Sequence, residues 1–231
     1  MNYIVWDGKD SRDIKELIIS ELPPITKPKM RVKETVIDGV DGSIIEELGY
    51  ESYDKAIAIG LKVGADVDKV IDFFTGNGTV VFSNEPDKYY IARIINEIDY
   101  TRLLRFRVAK VTFRVQPFKY NRVEAPREAT SDRTSMVVEN IGNHTSKPLI
   151  TIKGTGTVKL SLDGKEICNY TFPANENTVV LDSEKQDAYL GDDFKNGNMG
   201  GDFPIFQKGN NTLSWSGAVT SVSITKYSRW L

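Results

Sequence analysis

Cysteine and histidine, the side chains that most often carry nucleophilic and proton-transfer chemistry, occur once each in this 231-residue chain, as Cys168 and His144. A Ser-His-Asp or Cys-His set can therefore be assembled in only one way each. Neither residue lies in a nucleophile motif. Cys168 falls in the alternating run Lys165 to Phe172, the place of a small buried hydrophobe. A single thiol excludes an internal disulfide and a cysteine-rich metal site. His144 sits in Asn140-Ile141-Gly142-Asn143-His144-Thr145, which is turn chemistry and predicts a solvated loop. The paired carboxylates Glu46-Glu47 and Asp192-Asp193 are adjacent in sequence. On a strand such neighbours point to opposite faces, so neither pair makes the facing dyad of a glycosidase. Asp38-Gly39-Val40-Asp41-Gly42-Ser43 lacks the alternating ligands and closing Glu of an EF-hand, and reads as turns. The glycines of 154–156 and 197–201 lie between strands, without the helix N-terminus that a phosphate cradle requires. The expectation is a chain with no catalytic residue, no cofactor and no metal site, hence not an enzyme.

The elements that would hold any site are mostly strands. Tyr90 to Ile98, Ala56 to Val63 and Phe106 to Val115 alternate apolar and polar residues with a period of two and end at Gly, Asp, Asn or Pro. In the last run Ala109-Lys110 shifts the phase, which predicts a β-bulge. One segment breaks the period. Asp66 to Gly76 sets Val67, Val70, Ile71 and Phe74 on one helical face, with Asp66 as N-cap and Gly76 as terminator. Asp163-Gly164 between alternating runs predicts a tight hairpin. Beyond residue 136 short strands recur at close spacing, the pattern of a β-sandwich or jelly roll. Trp215 alternates with Ser214 and Ser216 and belongs to that core. The expected division is an N-terminal domain over 1–120, a linker over 121–135 and a C-terminal sandwich over 136–231.

Net charge is −2, which gives no bulk attraction to nucleic acid or an anionic membrane. No apolar run of about 18 residues predicts a transmembrane helix. The start MNYIVWDGKD has no signal-peptide pattern, so synthesis in a cytoplasm is expected.

The order of several segments resembles the distal tail proteins of siphophages. The N-terminal carriers are Ile37-Asp38-Gly39-Val40-Asp41-Gly42-Ser43, then Tyr53 to Ile59, the Asp66–Thr75 helix and Gly78 to Arg93. In the C-terminal half they are Lys147-Pro148-Leu149-Ile150, Val180-Leu181-Asp182-Ser183, Gly200-Gly201-Asp202-Phe203-Pro204, Gly209 to Gly217 and Arg229-Trp230. The resemblance implies a mainly β protein. Its N-terminal α+β domain would be a tail-tube-like β-sandwich with one helix, and its C-terminal domain galectin-like. It further implies a homo-hexameric ring in the virion at the distal tail, with a channel for DNA. Implied partners are the tail-tube protein, the tail-associated hub protein and receptor-binding parts.

A closed ring needs a head-to-tail contact between two different patches. Ser43 to Tyr50 carries apolar residues that a lone domain need not bury, so Ile44, Ile45, Leu48 and Tyr50 are the expected subunit contacts. A core role for them is the competing reading. The competing function is a carbohydrate-binding protein that stacks host glycan on Trp215, Tyr170, Tyr189 or Trp230.

Overall fold

A computed structural model describes all 231 residues, Arg102 by its backbone alone. The chain divides into two compact units, Met1–Arg122 with Leu231, and Val123–Trp230. Both are built mainly from antiparallel strands.

The first unit opens with β1 (Ile4–Trp6), β2 (Lys9–Asp10), β3 (Leu17–Glu21), β4 (Met30–Thr35) and β5 (Ile44–Tyr50). It continues with β6 (Tyr53–Leu61), α1 (Val67–Phe73), β7 (Asn77–Phe82), β8 (Lys88–Ile94), α2 (Tyr100–Phe106) and β9 (Val108–Asn121). The main sheet runs β2-β1-β7-β8-β9-β6-β3. Strands β4 and β5 pair only with each other. Along β6 the alternation places Ile57, Ile59 and Leu61 inward, and β9 does the same with Val111, Phe113 and Val115. Trp6 meets Phe113 edge-on at 5.1 Å between ring centres, and Phe82 meets it at 5.8 Å.

The helix at 67–73 is shorter than its pattern predicts, and its buried stripe is different. Val70, Phe73 and Phe74 face the core, whereas Ile71 is exposed and Val67 only half-buried. Phe73 follows Val70 at the same i, i+3 spacing, so two stripes competed and the one with more aromatic area won. A second helix, α2, was not foreseen. It buries Leu103 and ends at Arg107, whose φ of 63° lets the chain turn into β9. This removes the expected bulge at Ala109-Lys110. The β6–β9 register runs unbroken through both residues. The apparent phase shift arose because Phe106 belongs to the helix and Val108 is an exposed apolar residue on the outer face of β9.

The second unit contains β10 (Arg127–Thr130), β11 (Ser135–Asn140), β12 (Leu149–Leu162), β13 (Lys165–Thr171) and β14 (Thr178–Asp182). After these come β15 (Asp187–Leu190), β16 (Asp193–Phe194), β17 (Met199–Gly201) and β18 (Gly209–Thr225). Arg127 to Thr130, expected in a linker, pairs residue by residue with Ser221 to Ile224 of β18. Its only apolar residue, Ala129, points into the core, so a polar composition concealed a strand. The Asp163-Gly164 turn forms as predicted, both residues at positive φ between Leu162 and its partner Lys165.

Two long strands, β12 and β18, run through this unit side by side and exchange their outer partners midway. Strand β12 pairs with β14 over Leu149–Lys153 and with β13 over Thr157–Leu162. Strand β18 pairs with β11 near its start and with β10 near its end. The exchange needs a bend, and the register breaks there. Glycines make the close approach possible. A Cβ on Gly154 would lie 2.5 Å from Ala218 O, and one on Gly217, at φ 100°, would lie 2.4 Å from Thr157 O. Replacing Gly217 with Ala is expected to lower the stability of this unit by about 2 kcal/mol. Urea unfolding followed by Trp215 fluorescence measures it. Gly197→Ala, where nothing lies within 4 Å of the new methyl, should stay within about 0.5 kcal/mol of the parent.

Candidate assembly interface

Strands β4 and β5 form a two-stranded arm that leaves the main sheet. Its register pairs Val32 with Glu47, Lys33 with Glu46, Glu34 with Ile45 and Thr35 with Ile44. Because opposed residues share a face, one face carries Val32, Glu34, Ile45 and Glu47. The other carries Lys33, Thr35, Ile44 and Glu46, and Arg31 and Leu48 continue its alternation up to the register shift near Met30. The tip, Val36 to Ser43, is the turn of the arm, with Gly39 and Gly42 at positive φ.

Three of the four expected contact residues lie on this arm and are open to solvent: Ile44 is 60% exposed, Ile45 62% and Leu48 48%. They do not form one patch, since Ile45 points away from Ile44 and Leu48. Tyr50 is different. It is half-buried at the root, edge-on to Phe118 at 5.8 Å between ring centres. The sequence reading missed Val32, Val36, Ile37 and Val40, which are exposed on the same arm. Their alternation was visible, but only pairing with β5 alone shows that neither arm face meets the core. A lone two-stranded ribbon is marginal in water, and this one exposes aliphatic side chains on each face.

The root of the arm is pinned through three backbone carbonyls of the strap Leu22–Thr26. Asn84 Nδ2 donates to Pro23 O at 2.9 Å, Lys55 Nζ to Pro24 O at 2.9 Å and Tyr53 OH to Thr26 O at 3.4 Å. Below the strap, Glu51 N donates to Lys29 O at 2.8 Å and closes the arm's base. Prolines 23 and 24 hold the strap extended and leave its carbonyls available for side-chain donors.

Lys55 is 2% exposed and in phase with Ile57, Ile59 and Leu61 of β6. Its ammonium sits 5.0 Å from the centre of the Tyr90 ring, 5.5 Å from Tyr53 and 6.0 Å from Phe82. Nearby, Glu85 takes an ion pair from buried Lys119 and a hydrogen bond from Tyr90 OH at 2.8 Å. Burial pulls Lys55 down to about 8, against the opposing field of Glu85 and helped by that of Lys119. Burial likewise pushes the Tyr53 and Tyr90 phenols up.

Other sequence candidates are placed singly. Cys168 is buried, and burial pushes its thiol up to about 12. His144 is half-buried rather than solvated. Its Nδ1 lies 3.1 Å from Thr145 Oγ1, and Arg229 Nε donates to Thr145 O at 2.5 Å, so a buried guanidinium organises this loop. Burial and the neighbouring Arg229 charge hold His144 below its ordinary value. Of the aromatics considered for sugar stacking, Trp215 and Tyr170 are in the core. Trp215 donates from Nε1 to Arg133 O at 3.1 Å. Tyr189 is half-buried on β15, opposite exposed Phe194 of β16.

Lys55 gives the first unit a distinctive pH dependence. Below pH 8 it is charged in folded and unfolded chains alike, and its burial penalty is fully present. Between about 8 and 10.5 the folded chain holds it neutral while the unfolded chain still binds a proton, so stability rises. The rise from pH 7.5 to 10 amounts to about 2 kcal/mol. Lys55→Met should lose this slope while the parent shows it, measured by denaturant unfolding at each pH. The measurement stops at pH 10, above which ionisation of Tyr53 and Tyr90 in the unfolded chain lowers stability.

No known protein family and no curated protein matches the sequence. Solved structures do match. The crystal structure of the SPP1 Dit (gp 19.1) protein, described as a paradigm of hub adsorption apparatus in phages infecting Gram-positive hosts, aligns with a TM-score of 0.70 at 17% identity. The alignment covers 98% of this chain and 99% of that one. A chain of the phage p2 baseplate, in its activated conformation with strontium, aligns at a TM-score of 0.50 and 10% identity over 98% of both chains. The mainly β fold expected from the resemblance is the fold observed. Over nearly its whole length, this chain has the fold of the phage distal tail protein Dit.

Proposed function

We propose that this chain is a structural protein of a phage tail tip, assembling as a ring, expected to be hexameric, through the β4–β5 arm. The observation that carries the reading is likeness to the SPP1 Dit protein along nearly all of both chains, with both units included. The arm supplies a physical reason for assembly. Its exposed aliphatic side chains have no cover within their own subunit, and its root is held by Asn84, Lys55 and Tyr53. The ring would join the tail tube to the hub and receptor-binding apparatus and leave a passage for DNA. Such a role asks for shape and interfaces rather than chemistry, which accords with the scattered placement of Cys168 and His144.

The test is mass by light scattering over a range of concentrations. A mass of six 25.9 kDa chains is the expected outcome. A strictly monomeric chain, also when mixed with its tail-tube neighbour, would count against the ring. Ile44→Asp places a charge on one arm face and should weaken self-association by about tenfold or more, since burying an unpaired carboxylate costs more than about 1.4 kcal/mol. Unchanged assembly would remove this arm face from the interface.

A further inference from the structure

On the outer face of the main sheet, β6 and β9 form the floor of a groove of about 840 Å³. The strap makes one wall and the segment from Asn96 through α2 contributes the other. Its apolar lining includes Leu22, Ala58, Phe106 and Val108, of which Phe106 is 62% and Val108 55% exposed. Among the described residues, four carboxylates line it, Glu21, Asp54, Glu97 and Asp99, against a single ammonium, Lys110. Asp54 is already paired with Arg114 at 2.5 Å. Glu21 and Glu97 are exposed, and among the described residues neither makes an ion pair.

The two arm faces differ in charge in a way that selects one of them for this groove. The face with Val32 and Ile45 carries Glu34 and Glu47, two carboxylates and no cation. The opposite face carries Arg31 and Lys33 beside Ile44 and Leu48, with Glu46 lying 3.8 Å from Lys33 in an exposed pair. An acidic groove with aliphatic walls fits the second face and repels the first. No arm residue lines the groove of its own chain.

We propose that this groove receives the Arg31–Lys33–Ile44–Leu48 face of the arm from a second copy of the chain. The inference rests on the ring reading and names the two patches that meet in it. Arm and groove are different surfaces of one unit, so the contact is head-to-tail and propagates until a rotation closes it. Ile44 and Leu48 lie on the apolar floor and walls, and Lys33 and Arg31 reach the carboxylates at the rim. The acidic face with Ile45 then points away from the groove, toward whatever else covers the arm in the tail.

Single-cysteine cross-linking tests the contact between full-length chains. Buried Cys168 has its thiol pushed up to about 12 and stays silent. Ile44→Cys mixed with a differently tagged Ala58→Cys should give a disulfide-linked heterodimer, and Ile45→Cys with Ala58→Cys should not. Cross-linking through Ile45 instead of Ile44 would overturn the face assignment. Charge reversal supplies the second readout. Lys33→Glu and Glu97→Lys should each weaken self-association about tenfold, and the pair in one chain should recover most of it, as expected for opposed charges across an interface. A ring that survives both single reversals, without the Ile44–Ala58 cross-link, overturns the groove while leaving the ring reading intact. A chain that stays monomeric with no cross-link at any concentration overturns both. All five positions face solvent or the groove, and the unfolding midpoint of each variant confirms that the fold is kept.

Discussion

The geometry of the first unit depends on the capture of one strap of chain by donors from the body beneath it. Between β3 and the arm, residues 22–26 carry two prolines and no regular pairing of their own. An extended segment of this kind would wander if its carbonyls were left to water. Instead Asn84, Lys55 and Tyr53, from the β7–β8 turn and from β6, each take one carbonyl. The arm emerges from a fixed root because those three bonds fix the last residues before it.

The central donor is an expensive choice. A lysine with 2% exposure loses hydration worth on the order of 3 kcal/mol, judged from its displaced protonation equilibrium. A methionine would pack there at lower cost but would leave Pro24 O without its donor. The aromatic walls of Tyr53, Phe82 and Tyr90 partly replace the lost water, and Glu85 supplies an opposite field that it divides with Lys119. A buried ion cluster of this sort adds little net stability. What it adds here is direction, since a point donor in the core can hold a backbone atom above it where an aliphatic side chain cannot.

Beyond the strap, the logic reverses from burial to exposure. The main sheet covers its inner face with aromatic and branched side chains, whereas the arm beyond its root presents exposed aliphatic residues on both faces. In the second unit two long strands instead satisfy each other. They bend where glycines let backbone touch backbone, and the sandwich closes on itself. The second unit thus pairs its long strands with each other, and the first carries an exposed arm.

Much of this was legible in the residues. Alternation of period two located most strands, Asp163-Gly164 located a hairpin, and the apolar content of Ser43 to Tyr50 pointed to residues that stay largely exposed. These signals are local, because strand period and turn conformation depend on near neighbours. Lys55 was also marked in principle, standing in phase with Ile57, Ile59 and Leu61, yet composition alone reads a lysine as solvated. Tertiary structure decided the rest. It made Arg127 to Thr130 a strand, because β18 offered an edge to a segment with one small apolar residue. It moved the buried stripe of α1 to Val70, Phe73 and Phe74, because aromatic area outweighed a regular pattern. It separated Ile45 from Ile44 and Leu48, because a period of two sends neighbours to opposite faces of a ribbon. Which residues are buried, and which stay exposed, is a property of what packs against them, and no single segment carries that information.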